Sequence, residues 1–125
     1  MTLRARGAAD PDTVWQRYLH PALWPGWAPQ IRSVETGDEL RAGMRGRLRP
    51  VVGPAVAFVI TSVDVEARTW SWRVAAGPFR MRLWHAVRPH GVSGAATELT
   101  VEGPLPVVLA YAPLARYALR RLVRP

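Results

Sequence analysis

The stretch Pro104-Leu-Pro-Val-Val-Leu-Ala-Tyr-Ala-Pro-Leu-Ala-Arg-Tyr-Ala-Leu-Arg-Arg-Leu-Val-Arg124 decides the architecture. Val108, Ala112, Ala115, Leu119 and Leu122 recur at steps of three or four, the spacing of one face of a helix. Arg116, Arg120 and Arg124 line another side. An amphipathic helix of this length must lay its apolar stripe on something. Pro113 lies inside it and cannot donate to the carbonyl of Leu109, so a bend is expected there.

What the helix covers is read from the segments before it. Gly43-Met-Arg-Gly-Arg-Leu-Arg49 alternates strictly, with Met44, Gly46 and Leu48 on one face and Arg45, Arg47 and Arg49 on the other. Ile31–Glu35, Val56–Val65, Arg68–Ala75, Phe79–Val87 and Ala95–Glu102 read as further strands. Turns at Thr36–Glu39, Glu66-Ala67, Gly77-Pro78 and His90–Gly94 separate them, and such short intervals favour an antiparallel meander. Near the start, Asp10-Pro-Asp-Thr-Val-Trp-Gln-Arg-Tyr-Leu19 is a capped short helix. His20-Pro-Ala-Leu-Trp-Pro-Gly-Trp-Ala-Pro29 follows as a helical turn and loop too rich in proline for a long element. The class is α+β: an antiparallel sheet that curls around a long C-terminal helix. The 125 residues suit one domain over 1–125, and no linker or repeat divides them.

Composition narrows the chemistry. Cysteine is absent, which excludes disulfides and thiolate catalysis. No run is long and apolar enough for a membrane span, and Met1-Thr-Leu-Arg-Ala-Arg lacks a signal-peptide core, so a cytoplasmic protein is expected. The net charge is +8 and comes from arginine alone, a bias typical of a GC-rich bacterial genome. His20, His85 and His90 lack metal-ligand spacing, and no phosphate loop or hydrolase motif is present, so neither metal nor cofactor is expected.

The residues Pro11-x-x-Val14-Trp15, Trp24-Pro25-x-Trp27-x-Pro29, Gly43-x-x-Gly46, His85-x-Val87-x-Pro89 and Glu102-Gly103-Pro104-Leu105, in this order, resemble the START-like (SRPBCC) superfamily. That group includes polyketide cyclase/dehydrase-type proteins and relatives of the birch pollen allergen. The resemblance covers nearly the whole chain. It implies a helix-grip fold, with a curved antiparallel sheet, two short N-terminal helices and a cavity between sheet and long helix that takes a hydrophobic polyketide-, terpenoid- or lipid-like molecule. In this short chain the cavity is expected to be reduced. Aromatic cyclases of the group are expected to carry an arginine on a central strand. The comparable stretch here, Ala57–Asp64, has none, which argues against a site of that type.

Alternation then assigns side chains to the cavity. Phe58, Ile60, Trp72, Met81, Leu83, Thr97 and Leu99 face inward from the strands, Tyr111 and Ala115 from the helix, and Trp27 from the proline-rich loop. Trp24 and Trp27 either wall the mouth or plug the gap between the short helices and the sheet. His85 is the one inward group that titrates near neutrality, and it is the candidate proton handler for a cyclisation, dehydration or isomerisation. A histidine satisfied within the core is the competing reading. Without turnover, the same cavity serves a carrier or sensor. Arg45, Arg47, Arg49, Arg73, Arg80, Arg82 and Arg88 share the outward face with Trp84, which invites a weaker reading as a nucleic-acid surface or a homodimer contact.

Overall fold

The computed structural model describes residues 1–125. In chain order the elements are β1 (Thr2–Gly7), α1 (Pro11–Leu19), a 3-10 turn (Pro21–Leu23), α2 (Trp24–Trp27), β2 (Ile31–Glu35), β3 (Arg45–Pro50), β4 (Val56–Asp64), β5 (Thr69–Ala76), β6 (Phe79–His90), β7 (Gly94–Glu102) and α3 (Leu105–Leu122). Seven strands form one antiparallel sheet in the order β1-β7-β6-β5-β4-β3-β2. Strands consecutive in sequence are neighbours in space except β1 and β2. These two occupy opposite edges, and α1, the turn and α2 carry the chain between them. This is the helix-grip architecture expected from the sequence.

β1 is an addition to the elements read from sequence. Its buried Leu3 and Ala5 alternate with exposed Thr2, Arg4 and Arg6, and it pairs with β7 from Thr2↔Thr100 to Gly7↔Ala95. Six residues with only two apolar side chains give a weak pattern. In β4, Thr61 is an extra residue between the pairs Ile60↔Trp72 and Ser62↔Ser71. Bulges of this kind bend a strand and sharpen its twist. The same shift returns Val63 to the face of Phe58 and Ile60, opposite Trp70.

The start of α1 and the end of α3 are tied down by named groups. The Asp10 carboxylate accepts the Thr13 backbone N–H at 3.0 Å and caps α1, with Pro11 in the first helical position. α1 buries Val14, Trp15, Tyr18 and Leu19. α3 buries Val108, Ala115, Ala118, Leu119 and Leu122 and runs through Pro113 as one element. Its C-terminal end is clamped: Arg17 donates to the carbonyls of Leu122 at 2.7 Å and Arg124 at 2.5 Å, and Arg121 donates to Gly26 O at 2.9 Å.

The face assignment follows the expected alternation. Arg45, Arg47, Arg73, Arg80, Arg82 and Arg88 are exposed on the outer side of the sheet. Trp84 lies among them, 39% exposed, between Ser71 and Thr100 in the ladder. No arginine stacks on its ring, and the cation–π contact of the fold joins Arg121 to Tyr117.

On the inner side, Gly46 lies beneath the tip of the Phe58 ring and against Thr36, and a Cβ there would overlap both. Gly46→Ala is therefore expected to lower unfolding free energy by roughly 1–3 kcal/mol, the usual range for overpacking a filled site. Urea denaturation measures it. An unchanged midpoint would mean that Phe58 yields at no cost.

Candidate functional site

The interior of the grip is divided in two. At the end nearest α1, aromatic rings fill the space. Trp24 stacks on Trp70 with centroids 5.6 Å apart and lies 5.9 Å from Phe58. Trp70 in turn lies flat on the His85 imidazole, 4.3 Å away with 7° between the planes. Tyr18 meets Trp27, Trp70 and His85 edge-on. Proline explains the placement of Trp24: Pro21 and Pro25 hold the chain in short turns that pin its ring inward, and its indole N–H donates to Tyr18 O at 2.9 Å.

A directed chain of hydrogen bonds runs through this solid half. The Trp72 indole N–H donates to His85 Nε2 at 3.0 Å. An indole nitrogen is a donor only, so Nε2 is the acceptor and the imidazole proton sits on Nδ1. Nδ1 then donates to the Tyr18 hydroxyl oxygen at 3.2 Å. The Tyr18 hydroxyl donates to Thr97 Oγ1 at 2.6 Å, and Thr97 donates to the carbonyl of Ala86 at 3.2 Å. Every member is satisfied, as buried polar groups must be. Burial lowers the His85 pKa to about 3 and lifts that of Tyr18 well above the ordinary tyrosine range. His85 is neutral, with both nitrogens engaged inside the protein.

The other half is hollow. A cavity of about 450 Å³ lies between the sheet, α2 and α3. Trp24, Trp70 and His85 form its inner end, and Trp72, Val74, Met81, Leu83 and Leu99 its sheet wall. Tyr111, Ala115, Ala118 and Leu119 come from α3, and Trp27 and Ile31 close one side. Among the lining residues, Val51, Val52, Phe79 and Leu114 are exposed and mark the opening. No charged side chain lines it. The Tyr111 hydroxyl has no partner in the protein, and burial pushes its pKa up to about 12.

Of the side chains assigned to the cavity from sequence, Trp27, Trp72, Met81, Leu83, His85, Leu99, Tyr111 and Ala115 are brought together on its wall. Phe58, Ile60 and Thr97 are not, and this is a correction. All three are buried on the inward face; Phe58 and Ile60 stand opposite the wall residues Val74 and Trp72, but the Trp24 ring packs against Phe58 on that side of the sheet. Thr97 spends its hydroxyl on Tyr18 and Ala86. Trp24, Trp70, Val56, Val74, Ala76, Phe79 and the loop residues Val51 and Val52 join the wall in addition. Val74 and Trp70 were readable by alternation with Trp72. The loop carried only a local signal, two valines before Gly53-Pro54.

The fold and the hollow have counterparts among known proteins. The family described as polyketide cyclase / dehydrase and lipid transport matches residues 2–125. The chain belongs to that family. Its place is within the SRPBCC, Bet v 1-like superfamily, and three solved structures share its architecture. The di-domain ARO/CYC BexL from the BE-7585A biosynthetic pathway superposes with a TM-score of 0.82 at 18% identity, over 98% of this chain and 44% of that one. This chain thus spans less than half of BexL. The structure of Ara h 8.0201 gives 0.78 at 13% identity, over 98% and 93%. Norcoclaurine synthase from Thalictrum flavum gives 0.72 at 20% identity, over 98% and 83%. No curated protein matches by sequence. No trio of His, Asp and Glu side chains in this family member is placed to hold a metal ion.

The neutral, buried His85 gives a pH dependence with a definite sign. The unfolded chain binds a proton on this histidine near pH 6.5 and the folded chain only near 3. Stability therefore falls as pH drops from 6.5 toward 3, by a little over about 1 kcal/mol per pH unit. Denaturation midpoints between pH 7 and 4 test this. His85→Gln is expected to remove about one proton from the slope, and an equal slope in both proteins would show that His85 is not the group responsible.

Proposed function

We propose that this chain binds a small, uncharged hydrophobic molecule between the sheet and α3. The observation that supports the reading is the hollow itself, about 450 Å³ with an apolar wall and an open side. That volume lies in the range of small-molecule sites. Protein interiors are otherwise close-packed, and an apolar void of this size forfeits contacts that a ligand restores. An ionised group has no partner on the wall and would remain at the rim. The Tyr111 hydroxyl is free to meet one carbonyl or hydroxyl of the guest. Rigid aromatic walls lose little entropy when they bind.

A second reading is favoured by the likeness to BexL, described as an ARO/CYC, and to a synthase. On it, the cavity shapes a reactive chain toward cyclisation, dehydration or isomerisation, with His85 handling a proton. That role requires Trp72 to release Nε2, because the lone pair is already occupied. On the wall, the Tyr111 hydroxyl and the Trp70 indole N–H are without a protein partner, and they are the groups that orient the substrate in either reading.

Titration with the neutral fluorophore N-phenyl-1-naphthylamine, read from tryptophan quenching and probe emission, tests binding. Ala115→Phe fills the hollow from α3 and is expected to weaken the probe by about tenfold or more, at least ~1.4 kcal/mol. Tyr111→Phe is expected to weaken a carbonyl-bearing guest roughly three- to tenfold and to leave a pure hydrocarbon unchanged. Saturable binding that Ala115→Phe leaves intact would place the guest elsewhere. Turnover of a polyketide-like substrate by wild type and not by His85→Gln would favour catalysis, whereas binding without turnover favours a carrier.

A further inference from the structure

The opening of the cavity carries a surface feature that ligand binding alone does not require. From Pro104 to Ala115 the chain has no charged side chain, yet the outer face of this half of α3 is in solvent. Leu105 is 66% exposed and Leu109, one turn on, 53%. Val51, Val52, Phe79 and Leu114 are exposed beside them around the mouth. Single exposed aliphatic residues are ordinary, but a contiguous apolar rim on one opening marks a contact surface.

Charge is distributed to match. Antiparallel pairing puts the β3–β4 loop, the β5–β6 turn and the start of α3 at one end of the sheet. At the other end lie Asp10, Asp12, Asp38, Glu39, Asp64 and Glu66, together with Arg41 and with Arg68, which pairs with Asp12. On the mouth side Glu102 is the one carboxylate at a strand end, and Arg82 stands opposite it in the ladder. Arg32, Arg49 and Arg80 occupy the same strand ends, and only Arg49 is ion-paired, with Glu35 at 2.7 Å. The end that carries the contiguous aliphatic rim is thus positive, whereas the other end is mixed in charge and shows only isolated valines, Val65 and Val92.

We infer that the mouth docks on a bilayer rich in anionic lipid. Leu105, Leu109, Val51, Val52 and Phe79 enter the acyl boundary, and Arg32 and Arg80 meet headgroup phosphates. A second copy of the chain fits the surface less well, because each protomer carries +8 and would present the same positive rim. Docking places the cavity mouth against the membrane, so a hydrophobic guest passes between bilayer and hollow without crossing water. That last clause rests on the ligand-binding reading, whereas docking does not.

Co-flotation with vesicles tests it, using phosphatidylcholine alone and phosphatidylcholine with phosphatidylglycerol at roughly one lipid in three. Wild type is expected to float with the anionic vesicles, to stay behind with the neutral ones and to be released by high salt. Leu105→Ser/Leu109→Ser is expected to lower the partition coefficient by at least about tenfold. Arg32→Gln/Arg80→Gln is expected to do so by roughly tenfold or more. Val92→Ser, at the opposite end and fully exposed, is expected to change nothing. Absence of flotation, equal flotation with both vesicle types, or insensitivity to both double variants would overturn the proposal. So would sedimentation of a dimer that Leu105→Ser/Leu109→Ser dissolves, which would make a second copy the occupant. Naphthylamine binding, measured on the same preparations, reports the cavity separately, so loss of one result leaves the other standing.

Discussion

The stacking of Trp24 on Trp70 and of Trp70 on His85 is the contact on which the interior depends. A sheet that curls around a helix encloses more volume than short side chains can fill. Here the rings meet that demand at one end only, and they do so because the prolines of the 20s segment hold Trp24 in place. Where the rings stop, the hollow starts. The boundary between solid core and cavity is therefore a property of one proline-rich segment and two strands, not of the sheet as a whole.

Along that boundary the polar groups are sorted by whether their bonds are complete. His85, Tyr18 and Thr97 form a closed chain that ends on a backbone carbonyl, which fixes the tautomer and suppresses titration. Tyr111, contributed from across the cavity by α3, has no such partner. Residue type alone ranked these groups in the opposite order, since histidine is the usual proton carrier near neutrality. Commitment to internal bonds is invisible until the fold brings residues 18, 72, 85 and 97 together.

The fold was legible because its signals are periodic and reinforce one another. Arginines alternate with inward residues in β3 and β6, Arg73 of β5 shares their outward side, and the stripe of α3 repeats over five positions. β1 escaped because two apolar side chains in six residues make a short pattern. For the site, alternation named the correct face but not what covers it: Phe58 and Ile60 point inward, opposite the wall residues Val74 and Trp72, and still miss the cavity. The cover over Phe58 comes from Trp24, more than 30 residues away in sequence. Loop residues such as Val51 and Val52 obey no period and could not be assigned.

The clamp at the end of α3 has a mechanical consequence. Arg17 and Arg121 fasten the last turns to α1 and α2 through three carbonyls. The first turn has no side-chain cap, and Pro113 withholds one rung from the ladder midway. The helix is thus fastened by side chains at its last turns, whereas its first turn is held by the Gly103-Pro104 link to β7 and by buried Val108. The two ends of the cavity roof are therefore held by different means, side-chain hydrogen bonds to carbonyls at one and chain connectivity to the sheet at the other.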